Sequence, residues 1–75
     1  MRAYVVVTVG PGKSRDVARQ LASLPGFKMA DACWGSRDVF AVVEVAESRE
    51  LNKLVMDTIQ RLEGVTGTST HIALD

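Results

Sequence analysis

Residues 3–9, AYVVVTV, are almost wholly β-branched or aromatic and stop at Gly10-Pro11-Gly12. Such side chains suit a strand, the run is too short for an ordinary helix, and the Gly-Pro-Gly turn cannot continue regular structure. Beyond it the apolar period lengthens. Val17, Ala18, Leu21, Ala22 and Leu24 recur at helical spacing until Pro25-Gly26, and Ser14 stands where a helix cap is expected. Residues 27–34 alternate in a mixed way, Gly35-Ser36-Arg37-Asp38 supplies turn residues, and residues 39–45 (VFAVVEV) form a second β-branched run. Together these predict a hairpin. A second helix, capped by Ser48, carries Leu51, Leu54, Val55, Ile59 and Leu62 on one stripe and ends near Glu63-Gly64. Residues 65–74 read as a last, more polar strand, so the predicted order is β-α-β-β-α-β.

That order contains a repeat. Shifted by thirty-eight positions, Ala3 falls on Ala41, Val5 on Val43, Val7 on Val45, Val17 on Val55, Leu21 on Ile59, Leu24 on Leu62, Gly26 on Gly64 and Phe27 on Val65. Two βαβ halves with matching interiors predict an α+β, ferredoxin-like βαββαβ fold: a four-stranded antiparallel sheet with two helices on one face. It forms a single domain over residues 1–75. The matched strand positions (Ala3, Val5, Val7, Ala41, Val43, Val45) are expected to meet the helices, because strand side chains alternate with a period of two. The opposite face then carries Tyr4, Val6, Thr8, Phe40, Val42 and Glu44.

Chain size changes the meaning of that second face. A 75-residue domain has a small core and ordinarily needs a disulfide, a metal or oligomerisation. The single cysteine, Cys33, excludes an intrachain disulfide, and the single histidine, His71, argues against a closed zinc site. Oligomerisation is left. Two aromatics and two valines on a sheet face form an apolar patch of the kind that marks an interaction surface. Pairing two such sheets face to face closes a two-fold dimer, a dimeric α/β barrel, with Tyr4, Val6, Thr8, Phe40 and Val42 at its interface.

Charge narrows the partners. Nine Lys/Arg balance nine Asp/Glu with no block of either sign, so no basic stripe predicts direct nucleic-acid binding. No window approaches a membrane span, and the N-terminal residues run straight into a strand with no leader, which predicts a cytoplasmic protein.

Candidate chemistry is sparse. His71 and Cys33 lack the neighbours of a nucleophile or base motif, and Gly10-Pro11-Gly12-Lys13-Ser14 lacks the spacing of a phosphate loop. No catalytic centre, metal or cofactor is expected. The segment Trp34-Gly35-Ser36-Arg37-Asp38 offers outward backbone N–H groups, a carboxylate and a guanidinium, and the Thr66-Gly67-Thr68-Ser69-Thr70 run adds hydroxyls. Those groups suit a zwitterion, although Gly, Ser and Asp are also ordinary turn residues and Thr is ordinary in strands.

Across nearly its whole length the chain resembles the effector-binding (RAM) domain of the Lrp/AsnC transcriptional regulators. The resemblance is carried by Gly35-x-x-Asp38-Val39-Phe40, a following helix, then Glu63-Gly64-Val65 and Thr68-x-Thr70. It implies the same fold, dimerisation through the sheets, and dimers gathered into an octamer or decamer. It further implies a small amino acid bound between dimers near the loop that joins the second and third strands. Gly35 and Asp38 match the ligand-loop motif, Trp34, Ser36 and Arg37 line the same loop, and Thr68 and Thr70 match the last strand. Full-length members begin with a helix-turn-helix. Here Met1 opens directly on the first strand, so the expected form is the stand-alone one, with no DNA-binding domain and with full-length Lrp/AsnC regulators as candidate partners.

Two other functions share the topology. A small dimeric α/β-barrel enzyme of the cofactor-independent monooxygenase type would need a polar cleft under the helices, where this sequence has Val, Ala and Leu. A metal chaperone would need Cys-x-x-Cys after the first strand, where Gly10-Pro11-Gly12 stands.

Overall fold

Eight residues that alternate between open and buried positions begin the fold in the computed structural model, which describes residues 1–34 and 38–74. They form β1 (Arg2–Val9), followed by α1 (Ser14–Ala22), β2 (Phe27–Ala32), β3 (Asp38–Glu44), α2 (Ser48–Asp57), a 3₁₀ turn (Ile59–Arg61) and β4 (Val65–Ile72). The strands lie in the order β2-β3-β1-β4 with every neighbour antiparallel. This is the ferredoxin-like βαββαβ arrangement.

The alternation decides which residues make the core. Ala3, Val5, Val7 and Val9 of β1, with Val39, Ala41 and Val43 of β3, turn inward and are buried. Val17, Ala18 and Leu21 of α1, Leu51 and Val55 of α2, and Ile59 close over them. Each fully buried valine or leucine contributes roughly 1.5–3 kcal/mol from its removal from water. No polar or charged residue is buried among the described residues.

Both helix starts differ from the sequence reading. Ser14 and Ser48 are the first helical residues and not caps; Lys13 and Glu47 hold the N-cap positions, and neither makes a side-chain capping bond. At α2 the open end is instead tied by Glu50, whose Oε2 accepts the Ala46 N–H at 3.1 Å. Ala22 faces water and does not join the apolar face, since it lies about 100° around the helix from buried Leu21.

The second helix is also shorter than its apolar stripe. The α-helix stops at Asp57, and Arg61 and Leu62 then donate to the carbonyls of Thr58 and Ile59, three residues back. Ile59, which opens that tighter turn, is fully buried. The strands shift by a residue or two: β1 gains Arg2, β2 ends at Ala32 short of Trp34, β3 runs from Asp38 to Glu44 and leaves Val45 outside, and β4 ends at Ile72. Strand ends follow the ladder, and the last β2–β3 pair is Ala32 with Val39.

Candidate functional site

The helix-free face of the sheet is built in rows that the register fixes. Met29, Val42, Tyr4 and His71 form one row across β2, β3, β1 and β4, and Asp31, Phe40, Val6 and Ser69 form the next. Tyr4, Phe40 and Met29 are 44%, 46% and 47% exposed, large values for apolar side chains on a regular sheet, while Val6 and Val42 are half-buried between them. Thr8 stands one row further on, between Asp38 and Gly67. Tyr4, Val6, Thr8, Phe40 and Val42 therefore share one face, as the alternation predicted.

Polar groups rim the patch. Arg2 Nε lies 3.0 Å from Glu44 Oε1, and the Tyr4 hydroxyl followed by the Glu44 carboxylate holds the Arg2 guanidinium above its usual pKa. Ser69 Oγ and His71 Nε2 are 3.0 Å apart on the β4 side. Met29 was missed in the sequence because a register shift between Phe27 and Met29 breaks the simple alternation of β2.

The residues matched to a ligand loop and to the last strand fall in two places. Trp34 is fully exposed after the end of β2, and Gly35, Ser36 and Arg37 lie outside the described residues. Asp38 opens β3 on the helix-free face, with its backbone carbonyl accepting the Cys33 N–H at 2.9 Å. Thr68 and Thr70 stand opposite Val7 and Val5, whose side chains are buried under the helices, so both hydroxyls lie on the helix side of the sheet. Thr68 Oγ1 accepts a hydrogen bond from Gln60 Nε2 at 3.0 Å. Thr70 lines a cleft of about 320 Å³ between α2 and β4, together with Ser48, Leu51, Asn52, Val55 and Ile72.

Strand β1 separates the two groups. Asp38 belongs to β3 and the threonines to β4, two strand spacings of about 4.8 Å apart and on opposite faces. One copy of the chain does not bring them together. Cys33 is half-buried and donates weakly to the Asp31 carbonyl at 3.6 Å. Among the described residues no group of three or more His, Cys, Asp or Glu side chains gathers as metal ligands, and no helix is long and apolar enough to cross a membrane.

An open antiparallel sheet with two helices on its other face defines an α+β domain of ferredoxin-like type. The sequence profile of the Lrp/AsnC ligand binding domain matches residues 2–75, and the chain belongs to that family. It is 36% identical over 70 residues to an HTH-type transcriptional regulator of Pyrococcus furiosus, covering 93% of this chain and 47% of that protein. The chain thus spans about half the length of the curated relatives it matches, which are named as transcriptional regulators rather than enzymes. A crystal structure of a Thermus thermophilus protein superposes with a TM-score of 0.90 at 27% identity, covering 99% of this chain and 92% of that one. A Neisseria meningitidis transcriptional regulator in complex with L-Met matches with a TM-score of 0.84 at 18% identity, over 99% of this chain and 49% of that one, a likeness of fold.

Proposed function

We propose that this chain is an amino-acid-binding regulatory module that dimerises through its open sheet and answers ligand by changing how dimers assemble. The observation that carries the reading is the pair of adjacent rows on the helix-free face, where Met29, Val42, Tyr4, Phe40 and Val6 leave a contiguous apolar surface. A second copy of the same surface covers it with matching chemistry and two-fold symmetry.

The split of the polar residues supports a ligand held between copies. A small amino acid that touched Asp38 together with Thr68 or Thr70 of a single chain would have to pass through β1, so the two groups come from different protomers. In this reading Trp34, Gly35, Ser36, Arg37 and Asp38 of one protomer face Thr68 and Thr70 of another. The cleft at Thr70 takes the side chain, and its lining contains no charged residue. Sheet-paired dimers then gather into an octamer or decamer, and the ligand shifts that equilibrium by its different affinity for the two states.

The same reading makes residues 1–75 one functional unit in the cytoplasm, without a catalytic step, acting on full-length regulators of its family by association. The family of the chain, the names of its relatives, and a fold relative in complex with L-Met support it. Calorimetric titration with each of the twenty amino acids, paired with sedimentation velocity, tests it. Heat with one or a few of them and a ligand-dependent change in mass are expected; no heat with any of the twenty refutes the ligand assignment.

A further inference from the structure

Both ends of the open face carry charge. Beyond the row of Tyr4 and Val42, Arg2 of β1 stands opposite Glu44 of β3, and beyond the row of Val6 and Phe40, Thr8 stands opposite Asp38. Asp31 lies beside Phe40 at the β2 edge, and Ser69 lies beside Val6 at the β4 edge. Arg2 and Glu44 pair at 3.0 Å, and both side chains stay open to solvent, where a second copy can reach them.

A two-fold axis that sets this face against its own copy lies between the two sheets, and the strands of aligned facing sheets stay within about 30° of each other. Two directions satisfy both conditions. An axis across the strands lays each strand on itself with its ends exchanged, so Glu44 faces Asp38 of the second copy, twice, and Asp31 faces Met29. An axis along the strands, between β1 and β3, keeps each row and exchanges the strands, laying β1 over β3 and β4 over β2. Glu44 then faces Arg2 of the second copy, Asp38 faces Thr8, and Asp31 faces Ser69. Tyr4 and Phe40 meet valines in either case, so the carboxylates decide. The first arrangement opposes like charges, and the second gives each of the three carboxylates a donor.

We infer that the dimer axis runs along the strands, so that Arg2 and Glu44 of the two copies interlock as four alternating charges at one end of the interface, while Asp38 and Asp31 meet Thr8 and Ser69 of the other copy. The inference rests on the sheet-paired reading above and adds its direction. Because β2 and β4 run in opposite senses within one sheet, it also lays β4 of each copy antiparallel to β2 of the other.

The test uses Arg2→Glu and Glu44→Arg in the full chain, each studied alone and the two mixed in equal amounts, by sedimentation velocity at low ionic strength. Alone, each variant gathers four like charges at that end and is expected to self-associate at least about tenfold more weakly than the unsubstituted protein. Mixed, the acidic end of one variant meets the basic end of the other, and the heterodimer is expected to return to within about threefold of the unsubstituted affinity. Each chain still holds two like charges of its own, so that recovery cannot come from the pair within one chain. A mixture no tighter than its components overturns the axis, and so does Glu44→Arg alone associating more tightly than the unsubstituted protein, as it would against Asp38. In either case, Val6→Asp still weakening the dimer shows that the paired face stands and only its direction fails. An unsubstituted protein that stays monomeric overturns both.

Discussion

Val6 and Phe40 stand directly opposite each other in the β1–β3 ladder, on the face that carries no helix. Phe40 is 46% exposed although every inward neighbour on its strand is buried. If that face is the dimer interface, an aspartate at either position buries an unpaired charge against the facing sheet. Val6→Asp and Phe40→Asp are expected to weaken self-association roughly 100-fold or more, about 3 kcal/mol, while leaving the melting of the monomer nearly unchanged. Sedimentation velocity over a concentration series reads the shift. An unchanged mass for both variants would rule out this face as the contact.

Asp38 lies at the rim of the same surface, half-buried in the row of Thr8 and outside the helix-covered core. Its replacement by alanine is therefore expected to separate binding from folding. Asp38→Ala should lose amino-acid binding, by roughly 100-fold or more for a charged hydrogen-bond partner, with the sedimentation profile unaltered. Calorimetry showing wild-type affinity in this variant would remove Asp38 from the site.

The cleft between α2 and β4 makes a prediction about selectivity. Its floor is Leu51, Val55 and Ile72, its polar groups are Ser48, Asn52 and Thr70, and none of the six carries a charge. A charged side chain placed there would give up water without a counter-ion. Amino acids with neutral aliphatic or amide side chains are expected to bind at least about tenfold more tightly than Asp, Glu, Lys or Arg. A competition titration in which a charged amino acid prevails would show that the side chain goes elsewhere.

The repeat made the fold legible because both halves solve the same packing problem with the same residue types. Val17 and Val55, Leu21 and Ile59, and Val5 and Val43 are all buried, and Gly26 and Gly64 both adopt positive φ, +90° and +96°, just after the helical segments. The open face was legible for the same reason, as the complement of the matched positions. Met29 was not, because the irregular β2–β3 pairing that places it in the Val42 row is a property of two strands and leaves no mark on one. The hydroxyl run that holds Thr68 and Thr70 was visible in the sequence, and the family resemblance picked out those two; that they face the helices follows from their pairing with β1.

The glycines offer a test of backbone geometry independent of any ligand. A Cβ on Gly26 would lie 3.0 Å from the Glu44 carbonyl oxygen, and one on Gly64 would lie 2.9 Å from Lys13 Cβ, whereas one on Gly12 (φ +75°) would meet nothing within 4 Å. All three alanine variants carry the strain of a positive φ, roughly 1 kcal/mol, and the first two add a collision. Gly26→Ala and Gly64→Ala are expected to lower stability by about 2–4 kcal/mol, against about 1 for Gly12→Ala. Urea denaturation at fixed protein concentration measures the order, and a Gly12 variant as damaged as the others would contradict it.

Ile59 occupies the position of Leu21 in the second half, and both are fully buried. Truncating it leaves a cavity with little freedom to close, because strand β1 lies beneath the helices with Val5 and Val7 also fully buried. Ile59→Ala is expected to cost about 2–5 kcal/mol, and Ile59→Val about 0.5–1.5. In a 75-residue domain the first is a large share of the whole, so it is measured by urea unfolding with protein concentration held constant to fix the contribution of association. A stability loss below about 1 kcal/mol for Ile59→Ala would contradict its placement in the core.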